Sequence, residues 1–180
     1  MISEAQEIIQ IVDRQNNPIR AATRQEMRDK LLIHRTTLIF LENRKNQKLY
    51  ISKRSQLKKW CPGLWDLAFG GVIQYNETYE QNAQRELLEE AGVNEKMVPL
   101  FTFYQDDVPL SAPVWCKVFY AKTDQQLTLQ KEEVDEAKEM SFQEITEIIK
   151  NKSQFAPDGL RAFEIFTQNF KEYENLIKNI

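Results

Sequence analysis

Glu86, Glu89 and Glu90 stand at positions i, i+3 and i+4 of the segment GVIQYNETYEQNAQRELLEEAGV, residues 71–93. On a helix those spacings place the three carboxylates on one face, where like charges destabilise an isolated helix by about a few tenths of a kcal/mol per pair. A hard divalent cation such as Mg²⁺ reverses that penalty, because its preferred ligands are carboxylate and water oxygens. Three acids on a helix also describe an ordinary solvated face, so the neighbouring residues decide. The pair Gly70-Gly71 precedes the segment's helix, Glu77 sits at its entry, and Arg85 adjoins the acids. The Arg85 guanidinium could pair with Glu77 or another acid and fix carboxylate geometry through its planar fork.

The helix that must carry these acids is well marked. Thr78 with Gln81 three residues on forms a capping-box pattern, and Gly92 supplies a stop. Between them Ala83, Leu87, Leu88 and Ala91 recur at helical spacing, which predicts a helix over 79–91 whose packing stripe lies away from the acids. Upstream, an apolar run at 7–12, turn formers at 13–18 and a return run at 19–23 predict a hairpin within an N-terminal extension of residues 1–30. Residues 24–30 are polar with helical propensity. Residues 36–41 and 48–53 predict a second strand pair, and 100–104 and 114–121 two further strands. Helices are expected over 141–149, capped by Ser141 with Glu144, and over 160–170, capped by Asp158 or Gly159. Interleaved strands and helices predict one α/β domain over residues 1–180, with a mixed sheet covered by helices.

Residues 71–93 resemble the Nudix box, Gly-x5-Glu-x7-Arg-Glu-U-x-Glu-Glu-x-Gly-U with U aliphatic. The match comprises Gly71, Glu77, Arg85, Glu86, Leu87, Glu89, Glu90, Gly92 and Val93. Seven fixed matches arise by chance on the order of once in 10⁹ windows. The resemblance implies an α/β/α sandwich in which the box forms a loop–helix–loop. It implies Mg²⁺ or Mn²⁺ bound by Glu86, Glu89, Glu90 and the Gly71 carbonyl, with Glu77 and Arg85 supporting the loop. It also implies hydrolysis of a diphosphate linkage in a small molecule, the metal neutralising phosphate oxygens and acidifying a water. Glu89 is then the first candidate for the general base. Glu133 is the second, because many family members place an extra glutamate in a loop there; a surface acidic run accounts equally well for Glu132, Glu133, Asp135 and Glu136.

Composition narrows the setting. The chain has 180 residues, 42% of them hydrophobic, enough for a core without a metal or disulfide staple. The 24 basic and 27 acidic residues give a net charge of −3, against a general nucleic-acid surface. No apolar stretch long enough to span a membrane and no leader pattern occur, which predicts a soluble, cytoplasmic chain. Cys61 and Cys116 are expected as reduced thiols. The hairpin could serve a homodimer or extend the sheet.

Beyond the box, His34-Arg35, Lys53-Arg54 and the run Lys58-Lys59-Trp60-Cys61-Pro62-Gly63-Leu64-Trp65 resemble isopentenyl diphosphate isomerase and related bacterial Nudix proteins. The isomerase chemistry does not carry over. Gly70 stands where the isomerase has its catalytic cysteine, Val72 where it has a metal-binding histidine, and Ala112 and Val114 near its two strand glutamates. Cys61 precedes Trp65 and cannot replace that cysteine. His34 is read as a structural residue or, if it faces the site, as a phosphate contact able to turn cationic near pH 6.5. Arg54 and the lysine pair could meet substrate phosphates, and Trp65 could stack on a base or belong to the core. Two functions follow: hydrolysis of a nucleoside diphosphate linked to another group, or nucleotide sensing without turnover.

Overall fold

Asp13 closes the first turn by accepting the backbone N–H groups of Gln15 and Asn17 at 2.9 and 2.8 Å. In the computed structural model, which describes residues 4–180, this turn joins β1 (Ile8–Val12) to an antiparallel β2 (Pro18–Thr23). The hydroxyl of Thr23 then accepts from Glu26 N–H at 3.1 Å and caps α1 (Arg24–Lys30). Ile9, Ile11, Ala22 and Met27 form an apolar cluster that also takes in Leu32, Val72 and Ala112. The hairpin therefore extends the sheet of its own chain, through the pair Ile11↔His34 and a bridge between Ile9 and Gln74.

The remaining strands are β3 (His34–Asn43), β4 (Lys48–Arg54), β5 (Trp65–Asp66), β6 (Met97–Gln105), β7 (Val114–Thr123) and β8 (Val134–Met140). The helices are α2 (Tyr79–Ala91), α3 (Phe142–Ile148), α4 (Pro157–Gln168) and α5 (Phe170–Lys178). β3 and β7 run parallel from His34↔Val114 to Asn43↔Thr123, and β6 pairs antiparallel with the far edge of β7. The alternation of strand side chains separates two cores. Leu38 and Phe40 of β3, with Cys116, Val118 and Tyr120 of β7, meet Ile145, Phe163, Phe166 and Ile177 of α3, α4 and α5. Ile39 and Leu41, with Phe119 and Ala121, meet Ala83, Leu87 and Ala91 of α2 on the opposite face. The expected α/β/α sandwich with a mixed sheet is thus present.

β3 and β4 pair only at Glu42↔Leu49 and Asn43↔Lys48 and then part. The gap between them is filled by residues 65–74. That segment leaves the edge of β4, at Ser52↔Asp66 and Lys53↔Trp65, and crosses to β3, at Ile39↔Phe69 and Thr36↔Val72. The pairings put Gly70 and Gly71 beside the early part of β3, where β7 also begins and where β4 and β6 end.

Four local expectations are corrected. Leu88 is half exposed and not part of the α2 stripe, which runs through Asn82, Ala83, Leu87 and Ala91. α4 begins before Asp158 and Gly159: Pro157 sits in its first turn, where a missing N–H costs nothing, and Ala156 makes no side-chain cap. The helical stretch continues past residue 170 after a break at Asn169, so α5 is a separate element. The acidic run is divided: Glu132 and Glu133 lie in a turn, while Asp135 and Glu136 belong to β8, an edge strand beside β4.

Phe166 is fully buried and touches the rings of Phe40, Tyr120, Phe142, Phe170 and Tyr173. Phe166→Ala is expected to cost about 3–5 kcal/mol, read from the denaturant midpoint at unchanged slope.

Candidate active site

Both ends of α2 are fixed locally. Thr78 accepts from Gln81 N–H at 3.1 Å while the Gln81 side chain accepts from Thr78 N–H at 2.9 Å, and Gly92 at φ +69° closes the C-terminus. A buried amide then sets the helix against the sheet. Asn82 accepts from the Thr37 hydroxyl and donates to the Val72 carbonyl and to Glu77. With α2 held so, Glu86 and Glu90, one turn apart, face the Gly-Gly segment. Glu90 accepts Gly70 N–H at 3.0 Å. A Cβ on Gly71 would lie 2.6 Å from the Glu86 carboxyl, so only glycine permits this approach.

Arg85 binds three of the acids. Its guanidinium meets Glu77 through Nε and Nη2 at 2.9 and 3.1 Å, Glu86 at 2.9 Å and Glu89 at 2.9 Å. Glu77 also accepts from Gln74 N–H at 3.0 Å, which ties the loop to the helix. Burial raises the Glu77 carboxyl, but the hydrogen bonds from Arg85 and Asn82 outweigh it and hold the group below its ordinary value. Glu86 and Glu90 move the other way. Burial drives both carboxyls up; Glu89 adds to the rise at Glu86, and Glu86 adds to that at Glu90.

These glutamates border a cavity of about 430 Å³ at the end of the sheet where β3 and β7 begin. Gly71, Arg85, Glu86, Glu89 and Glu90 line it together with His34, Arg54 and Glu133, so eight of the nine expected site residues share one space. Trp65 is the ninth and is not among the lining residues. It packs against the core, half-buried, with the Lys53 and Lys138 ammonium groups over its ring. Trp60 lines the cavity instead, beneath the Arg54 guanidinium.

Two expectations about charge are revised. Arg54 is held by Asp66 at 3.3 Å and donates twice to the Trp60 carbonyl, so its charge is engaged within the wall. Asp66, buried, and Asp158, half-buried, add two acids on the cavity wall that sequence reasoning did not assign to the site. His34 is buried, and desolvation lowers its imidazole to about 4. It therefore stays neutral through the range where a free histidine becomes cationic. Glu133 is paired with Lys58 across the cavity, and its backbone carbonyl accepts Ser55 N–H.

Hard oxygen donors on a cavity wall suit Mg²⁺ or Mn²⁺, which coordinate carboxylates and complete their shells with water. A half-buried and a buried carboxylate side by side, Glu86 and Glu90, suit such a positive charge. Among the described residues no three acidic, histidine or cysteine side chains converge as a ready ligand set. Arg85 occupies Glu86 and Glu89 as their counter-charge, and the Gly71 carbonyl accepts Thr37 N–H at 3.1 Å, leaving its second lone pair. The positions of the isomerase groups are equally definite. Gly70 has φ +138° and backs onto the Thr37 carbonyl, so a cysteine side chain has no room there, while Val72, Ala112 and Val114 present apolar surface to the cavity.

Gly71→Ala is expected to leave the fold intact and displace the Glu86 carboxyl, lowering Mn²⁺ affinity about 10- to 100-fold in a calorimetric titration. As His34 is the only histidine, its imidazole proton resonances report directly. They are expected to hold steady from pH 8 to about 5 and to titrate near pH 4; a midpoint near pH 6.5 would mean a solvated ring. Because the folded value lies below the unfolded one, this group costs stability as pH falls through that window.

The comparisons with known proteins bear on the same residues. The model of the NUDIX domain matches residues 32–163. An uncharacterized Nudix hydrolase of Pseudomonas aeruginosa is 35% identical over 164 residues, 89% of this chain and 93% of that protein. The crystal structure of DR0079 from Deinococcus radiodurans superposes with a TM-score of 0.74 at 22% identity, over 88% of this chain and 98% of that one. The NUDIX domain of Shewanella oneidensis NrtR, solved with ADP ribose, gives a TM-score of 0.58 at 20% identity, over 77% and 87% of the two chains. The glutamate helix, the glycine pair it approaches and the sandwich around them are those of a Nudix hydrolase, a family of pyrophosphohydrolases acting on phosphorus-containing anhydrides, to which this chain belongs.

Proposed function

We propose that the chain cleaves a diphosphate linkage in a nucleoside-diphosphate-type small molecule, with Mg²⁺ or Mn²⁺ held by Glu86, Glu89, Glu90 and the Gly71 carbonyl. The observation that carries this reading is the pair Glu86 and Glu90, one half-buried and one buried, held against Gly70-Gly71 on the wall of a cavity of about 430 Å³. That volume lies within the range of small-molecule sites. The bound cation supplies charge neutralisation at the diphosphate oxygens and acidity to a water.

The chain's own groups take the remaining tasks. Arg85 and Glu77 hold the helix and its preceding loop in register. Glu89 is the most exposed of the three helix acids, with half of its side chain in solvent, so it is placed to accept a proton from water. Glu133 is the second candidate for that base; Lys58 pairs with it on the cavity wall. Lys58 and Lys59, also on the cavity wall, are positioned for the anionic substrate, as is neutral His34 by hydrogen bonding. The two free thiols, Cys61 and Cys116, fit work in the cytoplasm. The NrtR domain binds ADP ribose, which makes a compound of that class a rational first substrate.

The test is a panel of ADP ribose, nucleotide sugars, dinucleotides and nucleoside triphosphates, each incubated with Mg²⁺ or Mn²⁺ and followed by release of phosphate-containing products. Cleavage is expected to vanish with chelator and to fall about 10²–10⁴-fold in kcat for Glu89→Gln and Glu90→Gln. Tight binding of a panel member without turnover, unaffected by Glu89→Gln, would instead establish a sensing module.

A further inference from the structure

Arg24 and Arg28 stand one turn apart on α1, and both line the cavity that holds the α2 glutamates. Glu4 and Glu7 sit on them. Arg24 meets Glu4 at 3.2 Å and Glu7 at 2.8 Å, and Arg28 meets Glu4 at 2.5 Å. Those contacts leave donors unused: Arg24 Nε and Arg28 Nη1 are buried with no hydrogen-bond partner among the described residues. A guanidinium offers five N–H donors, and burying one unpaired is costly.

We propose that Arg24 and Arg28 form a seat for a phosphoryl group, which Glu4 fills when the cavity is empty and leaves when a phosphate arrives. A phosphoryl group brings three acceptor oxygens and up to two negative charges, where the Glu4 carboxylate brings two oxygens and one charge. It therefore has the means to satisfy donors that Glu4 does not. Planar guanidinium forks match this geometry better than ammonium groups do.

The two acids differ in how firmly they are held. Glu7 adjoins β1, and its carbonyl accepts Arg24 N–H at 2.8 Å, which fixes it beside the hairpin. Glu4 lies on a single 3-10 turn, and among the described residues its side-chain ion pairs are those to Arg24 and Arg28. Burial raises its carboxyl, yet Arg24, Arg28 and Lys58 together hold it below its ordinary value, so the displaced group is an anion competing with an anion. Arg24 is also near enough to Glu86 to lower its carboxyl, which places the seat and the glutamate wall in one electrostatic space. On the hydrolase reading, on which the substrate's identity rests, the seat grips a phosphate on the part of the molecule away from the attack.

The test needs neither metal nor turnover. The full chain in chelator at fixed ionic strength is titrated calorimetrically with inorganic phosphate and, separately, with a nucleoside 5′-monophosphate. Glu4→Gln is expected to tighten binding about 3- to 10-fold, and Arg28→Gln to weaken it at least about 10-fold. Arg20→Gln, which removes the same charge at an exposed pair with Glu26, is expected to match wild type. A gain in Glu4→Gln cannot come from misfolding, so it separates a ligand seat from ion pairs that only hold the extension. Tighter binding of the monophosphate than of phosphate assigns the seat to an organic phosphate; equal binding assigns it to the phosphoryl group alone. Unchanged affinity in both Glu4→Gln and Arg28→Gln overturns the seat and leaves the hydrolase reading intact, whereas a silent substrate panel with these shifts present overturns only the hydrolase reading.

Discussion

The parting of β3 and β4 is the constraint on which the rest of the site depends. After Glu42↔Leu49 and Asn43↔Lys48 the two strands no longer share hydrogen bonds, and each needs another partner for its freed edge. One segment serves both, pairing with β4 at Trp65 and Asp66 and with β3 at Phe69 and Val72. That crossing carries Gly70 and Gly71 to the end of the sheet where α2 presents Glu86 and Glu90. It also leaves the ends of β4 and β6 and the beginnings of β3 and β7 around one hollow, which is where the polar side chains gather.

Electrostatics inside that hollow follows from crowding. Glu77, Glu86, Glu89 and Glu90 stand close together, and a single guanidinium, Arg85, bridges three of them. Glu90 lies outside that bridge and leans on one backbone N–H, so its carboxyl is driven up by burial and by its neighbour Glu86. Across the cavity the arrangement repeats with different residues: Arg54 is shared by the electrostatics of Asp66 and Asp158, and Lys58 is matched by Glu133. The wall is thus a set of nearly balanced ion pairs, with the surplus negative charge on the α2 side. A divalent cation held by Glu86, Glu89 and Glu90 would relieve that surplus.

The N-terminal hairpin changes meaning in this setting. Its strands lengthen the sheet, and its apolar side chains seal against Leu32, Val72 and Ala112. The short helix that follows brings Arg24 and Arg28 to the cavity. A segment that begins as a packing device therefore also contributes charged wall, and the cavity differs on that side from the glutamate side opposite.

Much of this was legible in the residues alone. α2 and its caps are local: the hydroxyl of Thr78, the amide of Gln81 and the absent side chain of Gly92 act within a few residues, so the sequence pattern and the helix coincide at Tyr79–Ala91. The acid spacing, Gly71 and the Arg85–Glu77 pair are short-range for the same reason. What only the tertiary structure decided lies between distant segments. No periodicity announces that Asn82 would be the buried link from α2 to Thr37, or that Arg54 would pair with Asp66 and feel the charge of Asp158. Trp65 and Trp60 have the same chemistry five residues apart, and only the turn between them puts one in the core and the other on the cavity. His34 has a solution value near neutrality as a free side chain and loses it through burial, which is a property of everything packed around it. Local chemistry wrote the helix and its acids; the pairing of remote strand edges chose which charges those acids would face.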